Sequence, residues 1–154
     1  MKIPLRWRRQ FDELMAIAVA TIRAPHVRRP VPIELWMDTG SPWTAIAPRD
    51  AKKLNIPIIA LKKAEKFATI RFAGSKFQRY LLEDVSMYMR DESGKIVKIN
   101  LPVISVLWPT TGKVEKYDSI PSVLGCDFLT IRDFKLIFNP RRRVAFLENN
   151  PPST

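Results

Sequence analysis

The chain has 154 residues, enough for one domain with a proper core, and its 46% hydrophobic and 27% charged content reads as soluble and globular, not disordered. Lys and Arg outnumber Asp and Glu by 26 to 15, a formal charge of +11, but the basic groups are spread over residues 6–9, 28–29, 52–53, 62–66 and 141–143, which argues against one dedicated patch. A single cysteine, Cys126, excludes an internal disulfide and a cysteine-cluster metal site, and a single histidine, His26, leaves no second imidazole for zinc.

In chain order, residues 3–7 read as a short edge strand, since Pro4 suits an edge or a strand start. Residues 6–20 also carry a faint twin-arginine pattern, RWRRQF followed by LMAIAVA. Asp12 and Glu13 stand where the apolar region of such a signal begins, and the apolar run 14–20 is short. The expected location is therefore cytoplasmic, with export as the alternative. No apolar run approaches the roughly 20 residues of a membrane span, so no membrane partner is expected.

Residues 15–23 (MAIAVATIR) and 33–37 (IELWM) read as strands joined through the proline-rich APHVRRPVP, with Ile33, Leu35 and Met37 on one face. This hairpin ends directly at Asp38. Residues 48–54 suit a short helix, with Pro48 in its first turn and Pro57 beyond its end. Residues 66–72 and 76–89 are strand-like on either side of Ala73-Gly74-Ser75, which marks a β-hairpin with Gly74 near the tip. A turn at 91–94 leads to a strand or pair of strands over 95–108, then a polar loop over 109–119. Residues 120–124 read as a short buried strand, 127–131 as a helical turn with Asp127 near its start, and 134–138 with 144–147 as a last hairpin. The expectation is a single domain over residues 1–154, mainly β, with one or two short helices.

Asp38-Thr39-Gly40-Ser41 follows the apolar strand 33–37. An Asp-x-Gly turn alone is weak evidence, because both residues favour turns. Its chemistry becomes specific when two such carboxylates meet. Carboxylates about 3 Å apart cannot both ionise easily, so a pair shares one proton and can hold a water between a base and an acid. A glycine lets the backbone approach closely, and hydroxyls nearby lock the loop. Downstream, Val123-Leu124-Gly125 precedes Cys126-Asp127-Phe128-Leu129. No histidine accompanies Ser41, so a serine triad is not the reading, and Cys126 among apolar neighbours reads as an inert buried thiol. Trp36 and Trp43 read as core, with Trp43 also suited to line a cleft, and Asp127 reads as a structural residue capping the short helix.

Residues 33–41, the hairpin near Gly74 and Val123-Leu124-Gly125 together resemble the retropepsin-like, single-lobe aspartic proteases, over roughly residues 15–147. The resemblance implies a closed acid-protease β-barrel with the Asp38 loop crossing beneath the strand that ends in Gly125. It implies Asp38 as the catalytic carboxylate and Thr39 in a hydrogen-bonded grip between two catalytic loops. It implies that Ser41 hydrogen-bonds the carboxylate, and that Ala73, Gly74 and Ser75 form a flap over substrate. With one Asp-Thr-Gly and too short a chain for two lobes, the mechanism requires a symmetric homodimer with one Asp38 from each chain. The substrate would be a peptide or unfolded protein, bound as an extended strand. No metal or other cofactor is called for. Cys126 stands where many relatives have an Arg that supports fold or dimer, and FAGSKF has one glycine where many have several. The second reading is a catalytically silent, basic binding module for nucleic acid or an acidic protein, a lower-ranked partner class because no nucleic-acid motif is present.

Overall fold

A computed structural model describes residues 1–10 and 12–150. Phe11, in the twin-arginine-like segment, and residues 151–154, in the expected domain, lie outside the described residues. Strands β1 (Lys2–Pro4), β2 (Arg6–Gln10), β3 (Glu13–Arg23), β4 (Pro32–Met37) and β5 (Ala45–Ile46) lead to helix α1 (Pro48–Lys53). Strands β6 (Lys62–Lys63), β7 (Thr69–Phe72), β8 (Ser75–Arg90), β9 (Ile96–Pro109) and β10 (Ser122–Leu124) lead to helix α2 (Cys126–Ile131), followed by β11 (Lys135–Asn139) and β12 (Val144–Glu148).

Six strands close into a barrel in the order β3, β4, β10, β5, β9, β8, with β8 returning to β3 through Thr21–Tyr88, Ile22–Met87 and Arg23–Ser86. The fold is thus mainly β, as the sequence implies, with two short α-helices among the described residues. Strand β2 extends the barrel sheet beside β3, while β1, β12 and β11 form a separate three-stranded sheet. The apolar run 14–20 is part of β3, a barrel strand.

Period-two alternation decides which face of β4 goes inward. Ile33, Leu35 and Met37 are buried, while Pro32 is exposed and Glu34 and Trp36 are half-buried. The main core collects Ile33, Leu35 and Met37 with Ile46, Leu82, Met87, Leu124 and Phe128. A second apolar cluster lies on the other face, where Val123, Ala45, Phe77 and Ile120 pack with Trp36, Ile70 and Phe72.

The connection that matters for function is local. Strand β10 pairs in parallel with β4, Val123 opposite Trp36 and Leu124 opposite Met37, and antiparallel with β5, Val123 opposite Ala45. Two strands consecutive in sequence therefore flank a third from far downstream. The loop between them, residues 38–44, must cross the end of β10.

Several boundaries differ from the sequence expectation for identifiable reasons. The first strand is two, because the chain leaves one sheet for the other at Leu5, whose N–H bonds to Ala145. Residues 66–68 are not a strand; the Lys66 and Phe67 carbonyls accept from the Arg79 side chain instead. Residues 95–108 give one strand, β9, and the polar loop after it contains a 3-10 turn at Val114–Tyr117. The long β8–β9 ladder skips Asp84 and Pro102, which face each other where proline has no N–H to donate. No helix among the described residues is long and apolar enough to cross a membrane.

Candidate active site

The Asp38 loop is held mainly by its backbone. The Asp38 N–H donates to the Leu124 carbonyl at 3.1 Å, extending the β4–β10 ladder by one bond, and the Ser41 N–H closes a turn onto the Asp38 carbonyl at 3.1 Å. The Gly40 N–H donates to Asp38 Oδ1 at 3.0 Å, so the carboxylate is oriented by the motif itself. A Cβ on Gly40 would lie 3.2 Å from that same oxygen, tighter than ordinary contact. Asp38 is half-buried, and Thr39 and Gly40 are exposed.

The hydroxyl of Ser41 donates to the Trp43 carbonyl at 2.6 Å. Its one proton is spent within the loop, rather than on Asp38 as the resemblance implies. Thr39 uses its carbonyl to accept from Cys126 Sγ at 3.1 Å. Cys126 is half-buried rather than buried, and it ties the start of α2 to the Asp38 loop.

Gly125 explains the second motif by sterics. A Cβ there would fall 2.5 Å from the carbonyl carbon and oxygen of Trp43 and 2.8 Å from the Ser41 oxygen. These are backbone atoms that cannot swing aside, so the loop lies directly on Gly125. The next two N–H groups seal the contact: Cys126 N to Ser41 O at 2.9 Å and Asp127 N to Pro42 O at 3.3 Å. Val123 and Leu124 face opposite clusters, one on each side of the sheet.

Two residues matter that sequence reasoning missed, one read only as a helix cap and one not singled out at all. The Asp127 carboxylate accepts from Thr44 N at 2.8 and 2.9 Å, from Thr44 Oγ1 at 2.7 Å and from Phe128 N at 2.7 Å. It takes one first-turn donor of α2, but its main task is to fix Thr44, whose hydroxyl in turn accepts from Gly125 N at 3.1 Å. The signal available in sequence was an acidic residue two places after the glycine; its partner 83 residues upstream was not readable.

Arg79, on β8, is the other. It is 8% exposed, and its guanidinium donates to Phe67 O at 3.2 Å, Ser105 Oγ at 3.1 Å and Lys66 O at 2.7 Å. Its guanidinium carbon lies 4.1 Å from the centre of the Trp43 ring, and Trp43 also meets Phe67 at 5.5 Å between ring centres. Burial pulls its pKa below the ordinary arginine value, although an arginine retains its charge. Arg79 thus joins the loop before β7 to the tryptophan that follows Ser41.

The hairpin β7–β8 turns at Ala73 and Gly74, with φ of 50° and 79°, the two positive angles that a type I′ turn requires. Both are exposed and Ser75 is half-buried. Ile70 and Phe72 on β7 pack over the outer cluster beside Trp36 and Val123. That cluster shares its face of β4 with Asp38 by continued alternation. No group of three or more His, Cys, Asp or Glu that could hold a metal occurs among the described residues.

The fold that carries this site is that of the retropepsin-like aspartic proteases. The crystal structure of a retropepsin-like aspartic protease from Rickettsia conorii superposes with a TM-score of 0.57, covering 96% of this chain and 88% of that one at 18% identity. EIAV protease complexed with the inhibitor HBY-793 gives a TM-score of 0.48 at 14% identity, covering 85% of this chain and 99% of that one. No family model and no curated protein sequence matches the chain. The likeness is one of fold.

Proposed function

We propose that the protein is an aspartic endopeptidase that acts as a symmetric homodimer of one such domain per chain. The observation that carries this reading is the Asp38 loop: a half-buried carboxylate, oriented by Gly40 N–H, on a loop seated against Gly125. A single carboxylate so placed is half of the machinery, and a two-fold axis beside Thr39 and Gly40 supplies the other half.

In that dimer one Asp38 is ionised and the other protonated. The ionised carboxylate takes a proton from water as the water oxygen attacks the scissile carbonyl carbon. The protonated one gives its proton to the carbonyl oxygen. The resulting diol collapses as the C–N bond breaks. The nitrogen leaves with the proton first taken from water, and one diol hydroxyl returns a proton to the second carboxylate. Thr39 acts in the grip between the two loops, and Gly40 and Ser41 hold each loop's shape. Ala73, Gly74 and Ser75 form the tip of a flap that closes over an extended polypeptide. The exposed turn, with its apolar underside over the outer cluster, supports that role. The free thiol of Cys126 supports a cytoplasmic setting.

A second reading rests on the charge of +11: a binding module for nucleic acid or an acidic protein, with Asp38 silent. The two separate cleanly. Wild type and Asp38→Ala are incubated with a mixed unstructured polypeptide library, new termini are scored by mass spectrometry, and sedimentation reports the oligomer. Cleavage by wild-type dimer alone is the expected result. Equal cleavage by both proteins, or none from a folded dimer, rejects the peptidase reading.

A further inference from the structure

The face of β4 that leads to Asp38 has a charged neighbourhood of its own. Glu34 and Trp36 alternate outward along that face and border a cavity of about 430 Å3. This lies within the range of about 300–1,000 Å3 usual for ligand clefts. Arg8 from β2 and Arg49, Asp50 and Lys53 from α1 complete its charged lining.

Both carboxylates are already engaged. Glu34 accepts from Arg8 Nη2 at 2.8 Å. Asp50 is 3% exposed, accepts from Ser122 Oγ at 2.6 Å and faces Arg49 Nε at 3.7 Å. Lys53 donates only to the neutral Pro32 carbonyl at 3.1 Å, and among the described residues it forms no ion pair. Three cations therefore face two partnered carboxylates, which leaves one positive charge uncompensated beside an indole surface.

The cations are also fixed relative to Asp38. Arg49 and Lys53 stand four residues apart on one face of α1. The buried Asp50–Ser122 bond ties that helix to β10, the strand against which the Asp38 loop rests. Ser122 Oγ also accepts from Ala47 N at 2.9 Å, closing the joint.

We propose that this cavity receives an acidic side chain, Asp or Glu, of the polypeptide substrate, with Lys53 and Arg49 binding its carboxylate and Trp36 supporting its aliphatic stem. The proposal rests on Asp38 marking the substrate cleft. An extended strand laid along the Asp38 face places alternate side chains toward it.

The test uses full-length Asp38→Asn protein, so that binding is read without cleavage. Extended peptides of one backbone, carrying Glu, Gln or Lys at the varied position, are titrated while the four tryptophan indole signals are followed by NMR, with Trp36 assigned through Trp36→Phe. The Glu peptide should bind about three- to tenfold more tightly than the Gln peptide and shift the Trp36 signal, as suits partly exposed charge pairs. Lys53→Glu should reverse the order, favouring the Lys peptide; the Lys53 and Arg49 side chains are exposed, and a thermal melt checks the fold. Equal binding of the Glu and Gln peptides, or a preference untouched by Lys53→Glu with Arg49→Gln, overturns the proposal. So does a short oligonucleotide that shifts Trp36 at lower concentration than the Glu peptide, which assigns the cavity to phosphates. Selective binding of the Glu peptide here, with no cleavage of any of these peptides by wild type, would reject the peptidase reading and leave the cavity as a binding site for acidic peptides.

Discussion

Asp127 holds Thr44 by three hydrogen bonds, two to its N–H at 2.8 and 2.9 Å and one from its hydroxyl at 2.7 Å. The pair joins the first turn of α2 to the far end of the loop that begins at Asp38. Through Thr44 Oγ1 the same network reaches the Gly125 N–H. The position of the Asp38 carboxylate is thus set from both ends of its loop, by Leu124 at one and Asp127 at the other.

Removing Asp127 should loosen the loop before it unfolds the barrel. Asp127→Ala leaves the Thr44 and Phe128 donors without their acceptor and should cost about 2–4 kcal/mol. Asp127→Asn keeps one acceptor oxygen and should cost less. Urea denaturation gives both values, and cleavage should fall in the same order.

The two motif glycines are required for different reasons, and substitution separates them. At Gly125 an added Cβ strikes the Trp43 backbone at 2.5 Å, so Gly125→Ala should cost about 3 kcal/mol or more. At Gly74 nothing lies within 4 Å, and only the φ of +79° resists a side chain. Gly74→Asn should therefore be nearly neutral, because asparagine tolerates the left-handed region. Thermal melts of the two variants decide this.

Arg79 should not be replaceable by lysine. Its three nitrogens serve Phe67, Ser105 and Lys66 while its plane covers Trp43. An ammonium cannot reproduce that fork or the stacking. Arg79→Lys and Arg79→Met should each lose about 2–3 kcal/mol. Hydrogen exchange should rise over residues 66–68 in both.

Asp91, in the β8–β9 turn, predicts a pH dependence. Its Oδ1 accepts from Ser93 Oγ at 2.7 Å, Lys95 N at 2.9 Å and Ser93 N at 2.9 Å. The Ser93 hydroxyl draws its pKa below the ordinary 3.8, desolvation opposes it, and the Lys95 and Ser93 N–H groups with the Lys95 charge add to the lowering. A depressed folded pKa means that the unfolded chain binds the proton first. The contribution is present above 3.8 and is lost as pH falls through the folded value. Asp91→Ala should lower the urea midpoint at neutral pH, and the difference from wild type should shrink steadily on acidification.

Much of this was legible in the sequence because local patterns carried it. Alternation placed Ile33, Leu35 and Met37 inward, and Ala73-Gly74-Ser75 between two strand-like runs marked the hairpin, whose turn at Ala73 and Gly74 is type I′. The resemblance carried by Asp38-Thr39-Gly40 and Val123-Leu124-Gly125 implied the crossing loop that the β4–β10–β5 pairing shows. What escaped depends on long-range partners. Nothing local to Arg79 indicates burial of a guanidinium under Trp43. Asp127 looked like a helix cap because its partner Thr44 lies 83 residues away. The Ser41 hydroxyl turned to Trp43 because the loop's close seat on Gly125 brings that carbonyl within 2.6 Å.

The central claim is that each chain carries half of the catalytic pair, and mixed dimers test it most directly. Wild type and Asp38→Asn are unfolded together in equal amounts, refolded to let partners exchange, and assayed on a peptide that wild type cleaves. If both Asp38 carboxylates are needed, only wild-type pairs work, and activity should fall to about one quarter of an all-wild-type sample of the same total concentration. Activity of about one half would mean that each chain cleaves by itself, and the shared-carboxylate account would be wrong.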